Sequence, residues 1–277
     1  MKLLTLARDL QRRKARERQQ RFVAEGVRTV ETLLASPLEV TGVLATAALR
    51  SEARGAALLE MAEARRIPVV EISDAELASA ADTETPQGVL AVACTPEATL
   101  VAPAGPLRYL VLDALQDPGN VGTVVRTAAA LGVTATIALP GTVDFWNAKV
   151  VRSSMGALFH HPVHAMAWED AARFLAEQHV VLWAADMDGD PLAEIAPAAV
   201  PSRLALVVSN EGAGVSAHVA AAVDRTLSIP MAKPVESLNV AVASAILLYT
   251  LRPAPPGHTG PVMDVSDGVA SPGPQSS

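Results

Sequence analysis

The alternation of apolar and polar positions divides the chain into two blocks of short strands and helices. Residues 27–35 and 54–66 carry apolar side chains at helical spacing, whereas 40–46, 67–73 and 88–95 are short apolar runs bounded by turn residues, as strands are. Because the two kinds alternate, the first block reads as a compact α/β domain ending near residue 95. The stretch TPEATLVAPAGP, rich in Pro and Ala and without periodicity, reads as a linker over 96–106. A second block follows over 107–252, with strands at 107–114, 135–140, 180–186 and 204–210, another near 227–229, and helices at 119–131, 147–158, 169–178 and 239–251. This order predicts a mostly parallel sheet. Its last helix is apolar nearly all the way round: Val240, Val242, Ile246, Leu247 and Leu248 cover too wide an arc for one buried stripe. A core or a subunit interface should enclose it. Residues 253–277 lack the apolar content for a core and are expected to be disordered.

Composition narrows the class. Half of the residues are hydrophobic but only 3% are aromatic, so Ala, Val and Leu must build the core. A single cysteine, Cys94, excludes an intrachain disulfide and a thiolate metal cage and fits a reducing compartment. Arg8 and Asp9 interrupt the apolar run that a signal peptide needs, and no run reaches the roughly 18 residues of a membrane span, so a soluble cytoplasmic protein is expected. The net charge of −7 argues against a nucleic-acid partner until its distribution is considered. Residues 1–28 hold nine Lys or Arg against three acids. Arg12, Arg13, Lys14, Arg16 and Arg21 make that stretch a candidate phosphate-binding patch, although a solvated helix face would look the same.

Several motifs fail on context. The stretch from Gly212 to Ala217 fits G-x-G-x-x-G/A between a strand and a helix, but a dinucleotide fold would need an acid ending the next strand, and that strand runs into Pro230. Asp186, Asp188 and Asp190 imitate a calcium loop with its glycine misplaced, and read as a solvated turn. His160, His161 and His164 have no second cluster of ligands nearby in sequence and read as packing or surface histidines. Neither a phosphate loop ending in Gly-Lys-Ser/Thr nor a G-x-S-x-G elbow is present.

Three polar loops between strand and helix remain, the place where α/β sheets bind ligands. The first, at 112–132, puts Asn120 at a helix start and Arg126 on an early turn; the second is LVVSNEGAGVS, 206–216. The third, 229–239, holds Lys233, Glu236, Ser237 and Asn239 between fixed prolines. Asn120, Ser237 or Asn239 could equally be plain helix caps, and Arg126 a surface ion pair.

These loops resemble the three signature motifs of the SpoU/TrmH family of RNA ribose 2'-O-methyltransferases, in the SPOUT superfamily. DPGNVGTVVRTAAALG, SNEGAGVS and IPMAKPVESLNVAVASAILLY stand in the family's order and near its spacing. Upstream, RFVAEGVRTVE and DTETPQGVLAV are similar to the family's N-terminal substrate-binding domain, so the likeness spans residues 18–252. The resemblance implies a parallel sheet whose C-terminal segment forms a deep trefoil knot, a rarity among folds. It also implies S-adenosylmethionine as cofactor, without metal, its adenine against Ser209, Gly212, Ile229, Met231 and Leu238. Ser209 and Asn210 stand where many relatives have glycine or another small residue.

The implied reaction is methyl transfer to a ribose 2'-hydroxyl of a structured RNA, 23S ribosomal RNA first. A transfer RNA methyltransferase and a non-catalytic RNA-binding protein are the alternatives. Arg126 takes the central catalytic place, with Asn120, Glu211, Ser237 and Asn239 orienting it and the ribose. A guanidinium stays protonated, so Arg126 suits a clamp better than a base. A homodimer is implied as well.

Overall fold

The computed structural model describes residues 2–97, 99–210, 212, 214–233 and 237–253. Glu211 and the expected disordered tail beyond residue 253 lie outside them. The N-terminal unit opens with α1 (Lys2–Asp9) and α2 (Arg13–Gln19), then runs β1 (Arg21–Glu25), α3 (Val27–Ala35), β2 (Val40–Ala45), α4 (Ala47–Ser51) and α5 (Ala53–Ala64). It ends with β3 (Val69–Glu71), α6 (Asp74–Ala78) and β4 (Val89–Cys94). The strands pair in the order β1-β4-β2-β3, antiparallel except for β2 and β3.

The second unit comprises β5 (Leu107–Asp113), α7 (Pro118–Ala130), β6 (Ala135–Ala138), α8 (Ala148–Ser153), β7 (Val163–Ala165) and α9 (Trp168–Glu177). It continues with β8 (Val181–Pro191), β9 (Arg203–Ser209), α10 (Ala217–Ala220), β10 (Arg225–Ser228) and α11 (Val240–Thr250). All neighbouring strands are parallel, in the order β10-β8-β9-β5-β6-β7. Central β5 is buried along its whole length, as the inner strand of a sheet covered on both faces must be. Its side chains alternate: Leu110 and Leu112 join the core under α7 and α11, while Leu107, Tyr109 and Val111 join the one under α9. Helix α7 starts with Asp117, whose carboxylate accepts the Asn120 N–H, and with Pro118 in the first turn. It packs so closely on α8 that a Cβ at Gly122 would stand 2.0 Å from Ser153 Oγ.

The two units share one core. Phe22 on β1 lies 4.5 Å from the Trp146 ring and 5.9 Å from the Phe159 ring, centroid to centroid. A Cβ at Gly156 would meet Thr32 Cγ2 at 2.3 Å. The segment read as a linker is tied down as well: Tyr109 donates its hydroxyl to Val101 O (2.6 Å), and Arg203 donates to Pro103 O and Gly105 O.

Two expectations change, on Asp186–Asp190 and on the helix over 147–158. The basic leading segment carries α1 and α2, with Leu4, Ala7 and Leu10 buried against Val23, Leu44 and Leu90. The Asp186–Asp190 stretch belongs to β8, because its register slips and then resumes against β10 at Leu227 and Ser228. The helix expected over 147–158 stops at Ser153, since Met155 and Gly156 adopt left-handed backbone (φ +51° and +86°). Helix α11 buries Val240, Leu247 and Leu248 but leaves Val242, Ile246 and Tyr249 49%, 37% and 58% exposed. No helix among the described residues is long and apolar enough to cross a membrane.

Candidate functional site

Parallel strands present their carboxyl ends on one edge of the sheet, and the second and third polar loops leave it there. A cleft of about 400 Å3 lies between them, within the range of small-ligand sites. Its wall carries Ser209, Gly212, Ile229, Met231 and Leu238, all five positions expected to hold the adenine, together with Ser237. The floor is apolar, from Val208, Leu227, Val240 and Leu247. Among the described residues nothing lies within 4 Å of a Cβ built at Gly212, so this position leaves space that a planar ring can enter.

A hydrogen bond joins the first loop to the third. Asn239 caps α11, its side-chain oxygen accepting the Ala241 N–H at 2.9 Å, and its amide nitrogen donates to Asn120 Oδ1 at 3.0 Å. The cap reading and the site reading of Asn239 therefore hold together: one end of the amide orders the helix and the other fixes Asn120. Arg126 stands apart. It is exposed, pairs with no described residue, and lines a groove between α7 and α11 with Ile246 and Tyr249. A single chain therefore gathers Asn120, Ser237 and Asn239 near the cleft and leaves Arg126 outside it.

Two contributions escaped sequence reasoning. Asp113, 3% exposed at the end of β5, accepts the Ser216 N–H at 2.7 Å and so anchors the second loop. Its signal was an acid closing the apolar run Leu110–Leu112. Asp186, Met187 and Asp188 enter the cleft wall because β8 extends to Pro191, where alternating acids had suggested a turn.

The basic segment divides. Lys14 is exposed, while Arg12 pairs with Asp9 and Arg13 with Glu17 at the surface. Arg21 donates to Thr41 Oγ1 and Gln19 O. Arg16 leaves the candidate patch: it is 6% exposed, binds Asp144 at 2.7 Å and donates to Leu10 O and Gln11 O. A guanidinium so enclosed holds α2 to the second unit and cannot reach a phosphate. His160 is exposed, whereas His161 and His164 are buried, and His161 Nε2 lies 2.8 Å from Thr136 Oγ1. Burial, and then the neighbouring His164, push the His161 pKa down to about 4. Among the described residues no group of three or more His, Cys, Asp or Glu side chains is placed to hold a metal ion.

Comparison with known proteins agrees with this geometry. Residues 108–249 match the SpoU rRNA Methylase family, and residues 5–91 match the MRM3-like substrate binding domain. The chain is 38% identical over 246 residues to the 23S rRNA (guanosine(2553)-2'-O)-methyltransferase RlmP of Bacillus subtilis, covering 88% of this chain and 93% of that protein. It superposes on the SpoU methyltransferase AviRb from Streptomyces viridochromogenes, solved in complex with the cofactor AdoMet. The TM-score is 0.80 at 26% identity, over 90% of this chain and 96% of the other. A putative RNA methyltransferase of the TrmH family from Porphyromonas gingivalis aligns with a TM-score of 0.74 at 32% identity, over 90% and 96% of the two chains.

Proposed function

The chain belongs to the SpoU rRNA methylase family, and from that premise we propose that it methylates a ribose 2'-hydroxyl of 23S ribosomal RNA in the cytoplasm, with S-adenosylmethionine as donor. The observation that carries the reading is the joint between loops: Asn239 links the helix flooring the 400 Å3 cleft to Asn120 of the first loop. A donor site and a polar group for the acceptor are thereby built on one rigid edge.

The cleft suits the donor by its chemistry. Its floor is apolar, its rim offers loop backbone and the Ser209 and Ser237 hydroxyls, and the space beside Gly212 is open. When bound, S-adenosylmethionine supplies a sulfonium methyl that a ribose 2'-oxygen can take up, leaving neutral S-adenosylhomocysteine. The residues of the chain have two tasks, to hold that oxygen in line and to stabilise charge as its proton leaves. Asn120 can hold the ribose because Asn239 and the Asp117 cap fix it from two sides. Arg126 is assigned the electrostatic task, because a guanidinium offers permanent charge and a fork of donors. Glu211, outside the described residues, remains in the proposed set with Ser237.

Arg126 reaches a reaction centre only in a dimer, on this reading. The groove beside it is lined by Ile246 and Tyr249, with Val242 exposed on the same helix, an apolar face that a second copy would cover. Arg12, Arg13, Lys14 and Arg21 are proposed to meet RNA phosphates, without Arg16.

The test is incubation of the purified protein with 23S ribosomal RNA from a strain deleted for the enzyme and with isotopically labelled donor. Digestion to nucleosides should show label on a 2'-O-methyl nucleoside. Label on a base, or none, would overturn the proposal.

A further inference from the structure

A second cleft, of about 980 Å3, opens where the two units meet and takes no part in the chemistry above. Glu25, at the end of β1, is 2% exposed and forms its back. Its carboxylate accepts the N–H groups of Asp82 (2.8 Å) and Thr83 (3.3 Å) and the Thr83 hydroxyl, and lies 3.7 Å from Arg152 of α8. The 82–88 loop is thus pinned both to β1 and to the methyltransferase unit.

Charge in this cleft is balanced. Arg28, Arg54 and Arg152 line it together with Glu25, Glu52 and Asp74. Arg54 is already held by Glu31, and Arg152 bridges Glu25 and Asp82. A run of phosphates gains little here, because net positive charge is what draws them. What the cleft offers is neutral. The Gln87 carbonyl accepts the Val27 N–H at 3.1 Å, which fixes the amide and leaves both of its N–H donors for a partner. The same cleft is lined by Met155, 52% exposed with φ +51°, whose apolar, polarisable side chain stands on a backbone conformation that costs energy. Amide donors and an apolar side chain in one cleft, without net charge, suit a splayed nucleobase.

We propose that this cleft seats an unpaired nucleobase of the substrate RNA, its edge read by Gln87 and its face laid on Met155. The inference rests on the reading of the chain as an RNA methyltransferase and adds where the RNA is recognised, apart from the basic α2 surface and the donor cleft.

Two variants test it in the full-length protein. Gln87→Glu keeps an acceptor for Val27 and removes the donors. Met155→Gly removes the side chain and suits the left-handed backbone. Each should weaken binding of unmodified 23S ribosomal RNA about tenfold, a typical loss for one base contact. The loss should appear in KM for RNA and persist at high salt, with donor affinity retained. A Gln87→Glu defect that vanished at high salt would be charge repulsion alone, and wild-type KM in both variants would remove the site; either result overturns the proposal. Guanosine monophosphate at millimolar concentration should not displace the RNA; displacement would make this a free-nucleotide site instead. If the wild-type protein itself places no methyl group on the RNA, the underlying reading fails and this inference with it.

Discussion

A guanidinium offers a fixed fork of donors and no basic lone pair, so the part proposed for Arg126 in catalysis is electrostatic or positional. Arg126→Ala should lower the single-turnover rate by 10²–10³-fold, on the order of 3–4 kcal/mol, the size of losing one preorganised donor. Donor binding should survive, because Arg126 lies outside the cleft. Arg126→Lys separates the roles: a two-pronged clamp is crippled by it, whereas a simple local charge is partly kept. A rate for Arg126→Ala within about threefold of wild type would remove the residue from catalysis. His161 gives the pH dependence. Its folded-state pKa of about 4 lies below the ordinary 6.5, so the fold favours the neutral ring. The associated stability is present above pH 6.5 and is lost as pH falls toward 4, amounting to about 3 kcal/mol once both states are protonated. Between about pH 7 and about pH 5 this one group should remove roughly 2 kcal/mol. Urea unfolding of wild type against His161→Gln would show it as a flatter pH dependence in the variant.

At the scale of the element, α2 and α11 each carry an expectation that the fold divides. Neutralising Arg12, Arg13 and Lys14 together should flatten the salt dependence of RNA binding and leave donor binding unchanged; an unaltered slope sinks the phosphate role. Arg16→Ala should act on folding instead, at about 3–5 kcal/mol, because it leaves Asp144 without its partner in a largely buried place. Single-sequence reading could not separate Arg16 from its neighbours, since the burying group lies 128 residues away. Helix α11 was legible as apolar all round, and a single chain covers only part of it. Tyr249→Glu with Ile246→Glu should give monomers by light scattering and abolish methyl transfer; a monomeric wild type would end the dimer reading. The main helices and strands were legible because their periodicity is local. Helix α1 was hidden behind its charges, β7 is three residues long, and the end of β8 depends on a partner strand that follows far later. The cleft residues became legible through motif order, whereas Asp113 and Asp188 were not, since their roles come from loop closure and strand register.

For the molecule as a whole, residues 16–35 and the methyltransferase unit meet through ring contacts at Phe22, a glycine seated against Thr32 and a buried ion pair at Arg16. Thermal unfolding should therefore show one transition, read by calorimetry; two separated transitions would mean that the shared core does not couple the units. The joint also sets a length. If the N-terminal unit grips RNA as proposed, an enzyme whose gripping part shares a core with its chemical part would work as a ruler, and the nucleotide it marks would be the one lying a set span from the segment it holds. Such a protein has no need to read the base it methylates.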